Sequence, residues 1–137
     1  MGAHLTRFED WPRRLDAAIE AARARPFCWG EQDCALFAAA VVEAVTGRDF
    51  GAEFRGCYAS ALEARRQMEA RGGLAAITSC FLGDPVQVTV ARRGDVVLRL
   101  GEHGESLGIC LGAKCAFTGF DGLVFTPLKE CVLAWRV

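Results

Sequence analysis

The stretch W-G-E-Q-D-C-A-L-F, residues 29–37, joins a glycine turn to the start of a strongly apolar helix. Asp33 is the predicted N-cap, because its side-chain oxygens can accept hydrogen bonds from the free N–H groups of the first turn. The helix is predicted to run to about Val45, and the Thr-Gly pair at 46–47 ends it with a C-cap glycine. It is apolar almost all round apart from Glu43, which is typical of a central, buried helix.

Cys34 occupies the first turn of this helix, directly after the predicted cap. The free N–H groups and the positive end of the helix dipole favour an anion there, so a lowered pKa and an activated thiolate are expected. The main-chain N–H of the same residue is a candidate oxyanion donor. Burial among apolar groups acts in the opposite direction and raises a thiol pKa. Two interpretations of Cys34 follow: a catalytic nucleophile, or a core cysteine that only packs.

Helices dominate the first half of the chain and short strands the second. Further helices are predicted over 10–25, with Asp10 as N-cap, over 58–71, and more briefly over 74–82. After Gly83 the sequence changes to short runs rich in Val, Leu, Ile and Phe, which are predicted strands. These runs are 86–90, 95–100, 107–111, 114–118, 123–126 and 132–137. Helices followed by strands predict an α+β fold with an antiparallel sheet, and residues 1–137 are interpreted as one domain.

The composition limits the classes of function. The chain has 137 residues, 24% of them charged, and a formal net charge of −1, so it lacks the basic excess that favours a nucleic-acid partner. The longest apolar stretch, residues 34–42, is far shorter than the roughly 20 residues that span a bilayer. The N-terminus has no apolar signal region. We therefore expect a soluble protein made in a reducing cytoplasm, with no membrane partner.

Seven cysteines and two histidines supply the thiols and imidazoles of the chain. An odd number of cysteines leaves at least one thiol free or paired between chains. Cys110 and Cys115 are expected on adjacent strands, but they lack two further ligands for a structural zinc site and are interpreted as core residues. A disulfide between Cys28 and Cys34 is disfavoured in a reducing compartment. Neither a metal nor a cofactor is predicted.

Three segments carry a resemblance to a known family: F-C-W-G-E-Q-D-C-A-L-F at 27–37, R-R-G-D-V-V-L at 92–98 and S-L-G-I-C-L-G at 106–112. In order and approximate spacing they resemble the NlpC-type cell-wall peptidases, which are papain-like cysteine hydrolases. Gly94-Asp95 matches that family's turn into the strand before the catalytic base. The resemblance implies a papain-like fold, with N-terminal helices packed on a small antiparallel, barrel-like sheet, and a peptidoglycan substrate.

A second resemblance extends over nearly the whole chain. The segments F-R-G-C-Y at 54–58, D-G-L-V-F-T-P-L at 121–128 and C-V-L-A-W-R-V at 131–137, together with 93–98 and 107–109, look like a small phage-encoded family of uncharacterised proteins. Members of that family are associated with the tail genes of phages and prophages. This resemblance implies phage tail proteins as partners and the virion tail as a place of action.

Carried over residue by residue, the first resemblance matches Cys34 to the nucleophile, Asp33 to the preceding aspartate and Ser106 to the position of the general base. A serine hydroxyl is not basic enough to take a proton from a thiol near neutral pH. The third polar position, about a dozen residues further on, offers Thr118. The tyrosine that the family places before its nucleophile has no counterpart in this sequence.

His103 is the alternative base, three residues before the serine. If the turn around it folds back, the imidazole approaches the thiol, with Glu102 or Glu105 available to orient it. The favoured interpretation is a solvent-exposed histidine at a hairpin tip. His4 lies in the N-terminal segment and is a weaker candidate.

The missing base favours one function over two others. The sequence predicts a structural or accessory tail protein that keeps a peptidase-like fold with a degenerate site. The alternative is an active cysteine peptidase or amidase, in which Cys34 attacks an amide of peptidoglycan and His103 is the base. A third hypothesis is a binding module on the same scaffold, such as an inhibitor or immunity-like protein.

Overall fold

The computed structural model describes residues 5–102 and 104–137, so His4 and His103 lie outside the described residues. Four helices precede five antiparallel strands, which confirms the predicted α+β order. The helices are α1 Trp11–Arg23, α2 Cys34–Thr46, α3 Ala61–Ala70 and α4 Leu74–Leu82. The strands are β1 Val96–Gly101, β2 Gly104–Cys110, β3 Lys114–Gly119, β4 Gly122–Pro127 and β5 Cys131–Trp135. Short 3-10 helices lie at Val88–Val90 and Leu128–Glu130.

Helix α2 is the centre of the molecule, as its sequence predicts. Asp33 caps it, because one carboxylate oxygen accepts a 3.0 Å hydrogen bond from the N–H of Leu36. Gly47 ends it in the left-handed conformation, with φ of 83°. The apolar side chains of the helix pack between α1 and the sheet and form the main core with Leu15, Val96 and other residues. The N-terminus of α2 is thereby fixed against the sheet.

Helix α1 starts where its sequence predicts, but its first residue is held differently. Asp10 stands at the N-cap position without a capping hydrogen bond from its side chain. Its carboxylate instead accepts hydrogen bonds from Arg13 at 3.2 Å and Arg14 at 2.7 Å. The carboxylate therefore interacts with the first turn through charge, and the N–H of Trp11 instead donates a 3.0 Å hydrogen bond to the carbonyl oxygen of Phe8.

The predicted strand at 86–90 is wrong. Val88–Val90 is a 3-10 helix, and Val86 forms only an isolated bridge with Ala134 of β5. The side chains of Val86, Val88 and Ala91 pack against a second, smaller core on the far side of the sheet. Tertiary packing has overridden the strand propensity of these β-branched residues, as is common for short apolar runs.

The five strands lie in the order β4-β3-β2-β1-β5. Side chains on one face pack against the helices, and those on the other face form the second core. In that core the thiol of Cys115 on β3 forms hydrogen bonds with Cys110 on β2 and with Cys131 on β5. In a flat sheet β3 and β5 would be about 14 Å apart, since neighbouring strands are spaced by about 4.8 Å. The contact between Cys115 and Cys131 therefore requires the sheet to be curled, with β4 and β5 as its two edges.

A buried ion pair joins the two ends of the chain at the start of β1. Asp95 is fully buried and accepts hydrogen bonds from Arg7 at 2.9 Å, the N–H of Val137 at 3.1 Å and the N–H of Arg92 at 2.8 Å. Gly94 has a φ of 96°, and a Cβ there would lie 2.9 Å from the Arg7 guanidinium. Asp95 therefore connects Arg7 to Val137, and this set of contacts is called the Asp95 clasp.

Candidate functional site

A cleft of about 610 Å³ opens where the start of α2 meets α3 and the ends of β2 and β3. Cys34, Ser106 and Thr118 all line it. These are the three positions that the sequence matches to nucleophile, base and third polar residue, and the fold brings them together. Asp33 also lines the cleft. His103 lies outside the described residues, but its neighbour Gly104 is part of the cleft wall.

The Cys34 thiol has the opposite pKa shift from the one predicted. Its pKa is raised from 9.0 to about 11; burial is the largest cause, and the nearby charge of Asp33 acts in the same direction. Hydrogen bonds from the main chain at Leu107 and Ala35 favour the thiolate and lower the pKa, but their effect is smaller. The helix start therefore supplies the expected N–H groups, and desolvation outweighs them. The thiol is protonated at neutral pH.

Asp33 holds the entrance loop in place. Its second carboxylate oxygen accepts a 2.9 Å hydrogen bond from the N–H of Gly30, and it also accepts one from the hydroxyl of Tyr58. Gly30 is required here, since its φ is 80° and a Cβ would lie 2.2 Å from the carbonyl oxygen of Tyr58. The motif W-G-x-x-D-C is thus a folded unit in which the aspartate joins the loop, the helix and the tyrosine.

Tyr58 is a residue of the site that the sequence analysis missed. It is the only tyrosine of the chain, and it follows the cysteine by 24 positions although the resembled family has its tyrosine before it. Burial and the charge of Asp33 raise its pKa well above the usual value. Its ring lies 6.5 Å from that of Trp29, which in turn contacts Phe27 edge to face at 4.6 Å. These three rings form an aromatic wall of the cleft.

The cleft forms where β2 and β3 separate. Within the described residues, the two strands pair at Ile109–Ala116 and Cys110–Cys115, and no further towards the β1–β2 hairpin. By contrast, β1 and β2 stay paired over six residue pairs up to Gly101–Gly104. The main chain at Leu107 is therefore free of β3, and it contacts the Cys34 thiol instead. The start of α2 closes the gap between the strands.

Two polar residues of β2 have distinct roles in this wall. Ser106 pairs with Arg99 of β1 in the strand register and presents a hydroxyl, not a base, to the cleft. Glu105 accepts a 3.2 Å hydrogen bond from the N–H of Leu74, at the start of α4. Its carboxylate stabilises that helix end, where negative charge is favoured. The carboxylate of Glu105 is thus already bound to the start of α4, and this contact competes with its predicted role in orienting His103.

Helix α3 supplies the opposite wall of the cleft with Arg65, Met68 and Glu69, none of which the sequence analysis connected with a site. The wall combines one positive and one negative side chain with an adaptable thioether. Among the described residues, no group of three or more histidine, cysteine or acidic side chains is arranged to hold a metal ion. No helix in the described part of the chain is long and apolar enough to cross a membrane.

The fold and the cleft define an α+β protein with a half-buried cysteine at the start of its central helix, facing a curled antiparallel sheet. The chain belongs to a family whose description is "Domain of unknown function (DUF6950)", and the match covers residues 6–137. No curated protein matches the chain. The family match covers the helices and the sheet together, and its description assigns no activity.

Proposed function

We propose that this chain is a catalytically inactive relative of the NlpC-type papain-like peptidases that serves as a structural or accessory protein of a phage or prophage tail. The cleft is its binding surface. The observation that carries the proposal is the cleft itself, where a protonated cysteine lies with a serine and a threonine at the three positions matched to the catalytic residues.

The chemistry of the cleft supports the loss of activity. With a pKa of about 11, roughly one Cys34 thiol in ten thousand is ionised at pH 7. An active site of this class needs a base to remove the proton, and the Ser106 hydroxyl does not accept it near neutral pH. In this proposal Cys34 keeps the position of a nucleophile at the start of a helix, but no base activates its thiol.

The tail assignment rests on the second resemblance. Its segments at 54–58 and 93–98 lie at positions with structural roles in this molecule: the first carries Tyr58 to the cleft, and the second carries the Asp95 clasp. The open cleft with its aromatic wall fits a protein that binds a partner or the cell wall without cutting it. Phage tail proteins and peptidoglycan are the proposed partners, with the virion tail as the place of action.

One observation favours the active alternative. Gly104 lines the cleft that holds Cys34, and His103 is its direct neighbour in the sequence. The main-chain groups at Leu107 and Ala35 that favour the thiolate would serve an oxyanion equally well. In this alternative the protein hydrolyses an amide of peptidoglycan with His103 as base.

Incubation with purified peptidoglycan separates the two functions. Wild type, Cys34→Ala and His103→Ala are compared for soluble fragments by mass spectrometry, and for binding by sedimentation with the cell wall. Cys80→Ala is the matched control, because this cysteine is exposed and outside the cleft. We expect no fragments from any variant. Fragments that appear with wild type and Cys80→Ala but not with Cys34→Ala would refute the proposal and identify the protein as a cysteine hydrolase.

A further inference from the structure

Cys110 and Cys115 are direct partners across β2 and β3, below the point where the strands separate. The flanking pair Leu111 and Lys114 is joined by a 2.8 Å main-chain hydrogen bond. Hydrogen-bonded and non-hydrogen-bonded pairs alternate along antiparallel strands, so the cysteines form a non-hydrogen-bonded pair. In such pairs the Cα atoms are about 4.5 Å apart, within the range of about 4.4–6.8 Å that a disulfide spans.

The two thiols already interact. Both residues are fully buried in the second core. The interaction with the Cys115 thiol lowers the pKa of Cys110 below its usual value. The strand register places these two thiols directly opposite each other. A thiolate beside a second thiol is the arrangement that converts an oxidised sulfur into a disulfide.

We propose that Cys110 and Cys115 are a redox-active pair that hydrogen peroxide converts into a cross-strand disulfide. The Cys110 thiolate attacks one peroxide oxygen, the O–O bond breaks, and a sulfenic acid and hydroxide form. The Cys115 sulfur then attacks the sulfenic sulfur, and the S–S bond replaces the S–O bond as water leaves. In total, two thiols and one peroxide give one disulfide and two waters. The bond joins β2 to β3 directly below the cleft.

Cys131 is the competing partner, and the strand order disfavours it. Its thiol forms a hydrogen bond with Cys115, but its strand, β5, is separated from β3 by β1 and β2. In the register of β1 and β5 it lies opposite Arg99. Cys131 is therefore not held opposite Cys115 by strand pairing, which is what fixes Cys110 and Cys115 at disulfide distance. A disulfide between Cys131 and Cys115 would have to form across the curled face without that backbone support.

Peptide mapping distinguishes these partners, because trypsin places the three cysteines on different peptides. Cleavage after Arg99, Lys114, Lys129 and Arg136 gives peptides 100–114, 115–129 and 130–136. The folded protein, with its other four cysteines replaced by serine, is treated with hydrogen peroxide, alkylated and digested without reductant. We expect a peptide pair 100–114 with 115–129 that separates on reduction.

The controls are two single variants in the same background. Cys131→Ala retains the cross-link, and Cys115→Ala abolishes it. The proposal is overturned if 115–129 is linked mainly to 130–136, or if no intramolecular link forms while both thiols are recovered reduced. Because the pair lies outside the cleft, failure here leaves the proposed function untouched, and a peptidoglycan result leaves the redox pair untouched.

Discussion

The replacement of Asp33 by asparagine tests the interpretation of the cleft most directly. The carboxylate of Asp33 is 1% exposed, and it accepts hydrogen bonds from the N–H groups of Gly30 and Leu36. It also raises the pKa of Cys34 through its charge. The substitution removes the charge and one acceptor while keeping the size of the side chain, so it affects the electrostatics and the loop at the same time.

Two effects are expected from Asp33→Asn. Asparagine caps a helix as well as aspartate does, so the bond to Leu36 survives. The amide NH₂ then faces the N–H of Gly30, which leaves a buried donor unsatisfied and costs about 1–3 kcal/mol. The pKa of Cys34 falls from about 11 because a nearby negative charge is gone, but it stays above 9.0, since burial is the largest cause of the shift.

The assay is the rate of iodoacetamide labelling of Cys34 between pH 7 and pH 12, read by mass spectrometry in a Cys28→Ser background. Urea unfolding of the same proteins gives the free energy of unfolding. Tyr58→Phe is the matched control, because it removes one hydrogen bond to Asp33 and leaves the charge in place. A pKa of Cys34 below about 8.5 in the unsubstituted protein would refute this account of the thiol, since free cysteine ionises near that value.

Three further substitutions test the fold around the cleft. Asp95→Ala leaves the Arg7 guanidinium unpaired, and we expect urea unfolding to show a loss of about 3–5 kcal/mol; a loss below about 1 kcal/mol would contradict the clasp. Gly30→Ala should destabilise the fold strongly, because its Cβ would lie 2.2 Å from a carbonyl oxygen. Gly56→Ala is the control, since its φ is 74° and the space around it is open, so only backbone strain is expected. Equal melting temperatures for the two variants would contradict this reasoning. Gly108→Ala should lower the melting temperature, because its Cβ would lie 2.5 Å from the carbonyl of Ala116, and an unchanged value would exclude that close approach.

Local signals predicted most of the secondary structure. The cap at Asp33, the glycine at 47 and the apolar stripe between them define α2 within one residue of its observed bounds. Five of the six predicted strands exist. The sixth, at 86–90, fails because its side chains cover the second core instead of joining the ladder. A run of β-branched residues carries no information about which surface will bury it.

The candidate site was predicted in part. Cys34, Ser106 and Thr118 were selected from the sequence, and the structure places all three in one cleft. Tyr58 was missed because its hydroxyl reaches Asp33 across 25 residues of sequence, and no local pattern encodes such a contact. The pair Cys110 and Cys115 was correctly placed on adjacent buried strands, but the curl that brings Cys131 to the same cluster requires the sheet.

The sequence by itself determined the order of the helices and the bounds of α2, and that a cysteine follows a capping aspartate at the start of this apolar helix. Those features depend on neighbours along the chain, where capping and side-chain period act. Only the tertiary structure decided the state of that cysteine, because its pKa results from the opposing effects of main-chain N–H groups and burial. Desolvation is the larger effect at Cys34, and the resulting pKa depends on groups that are far apart in the sequence.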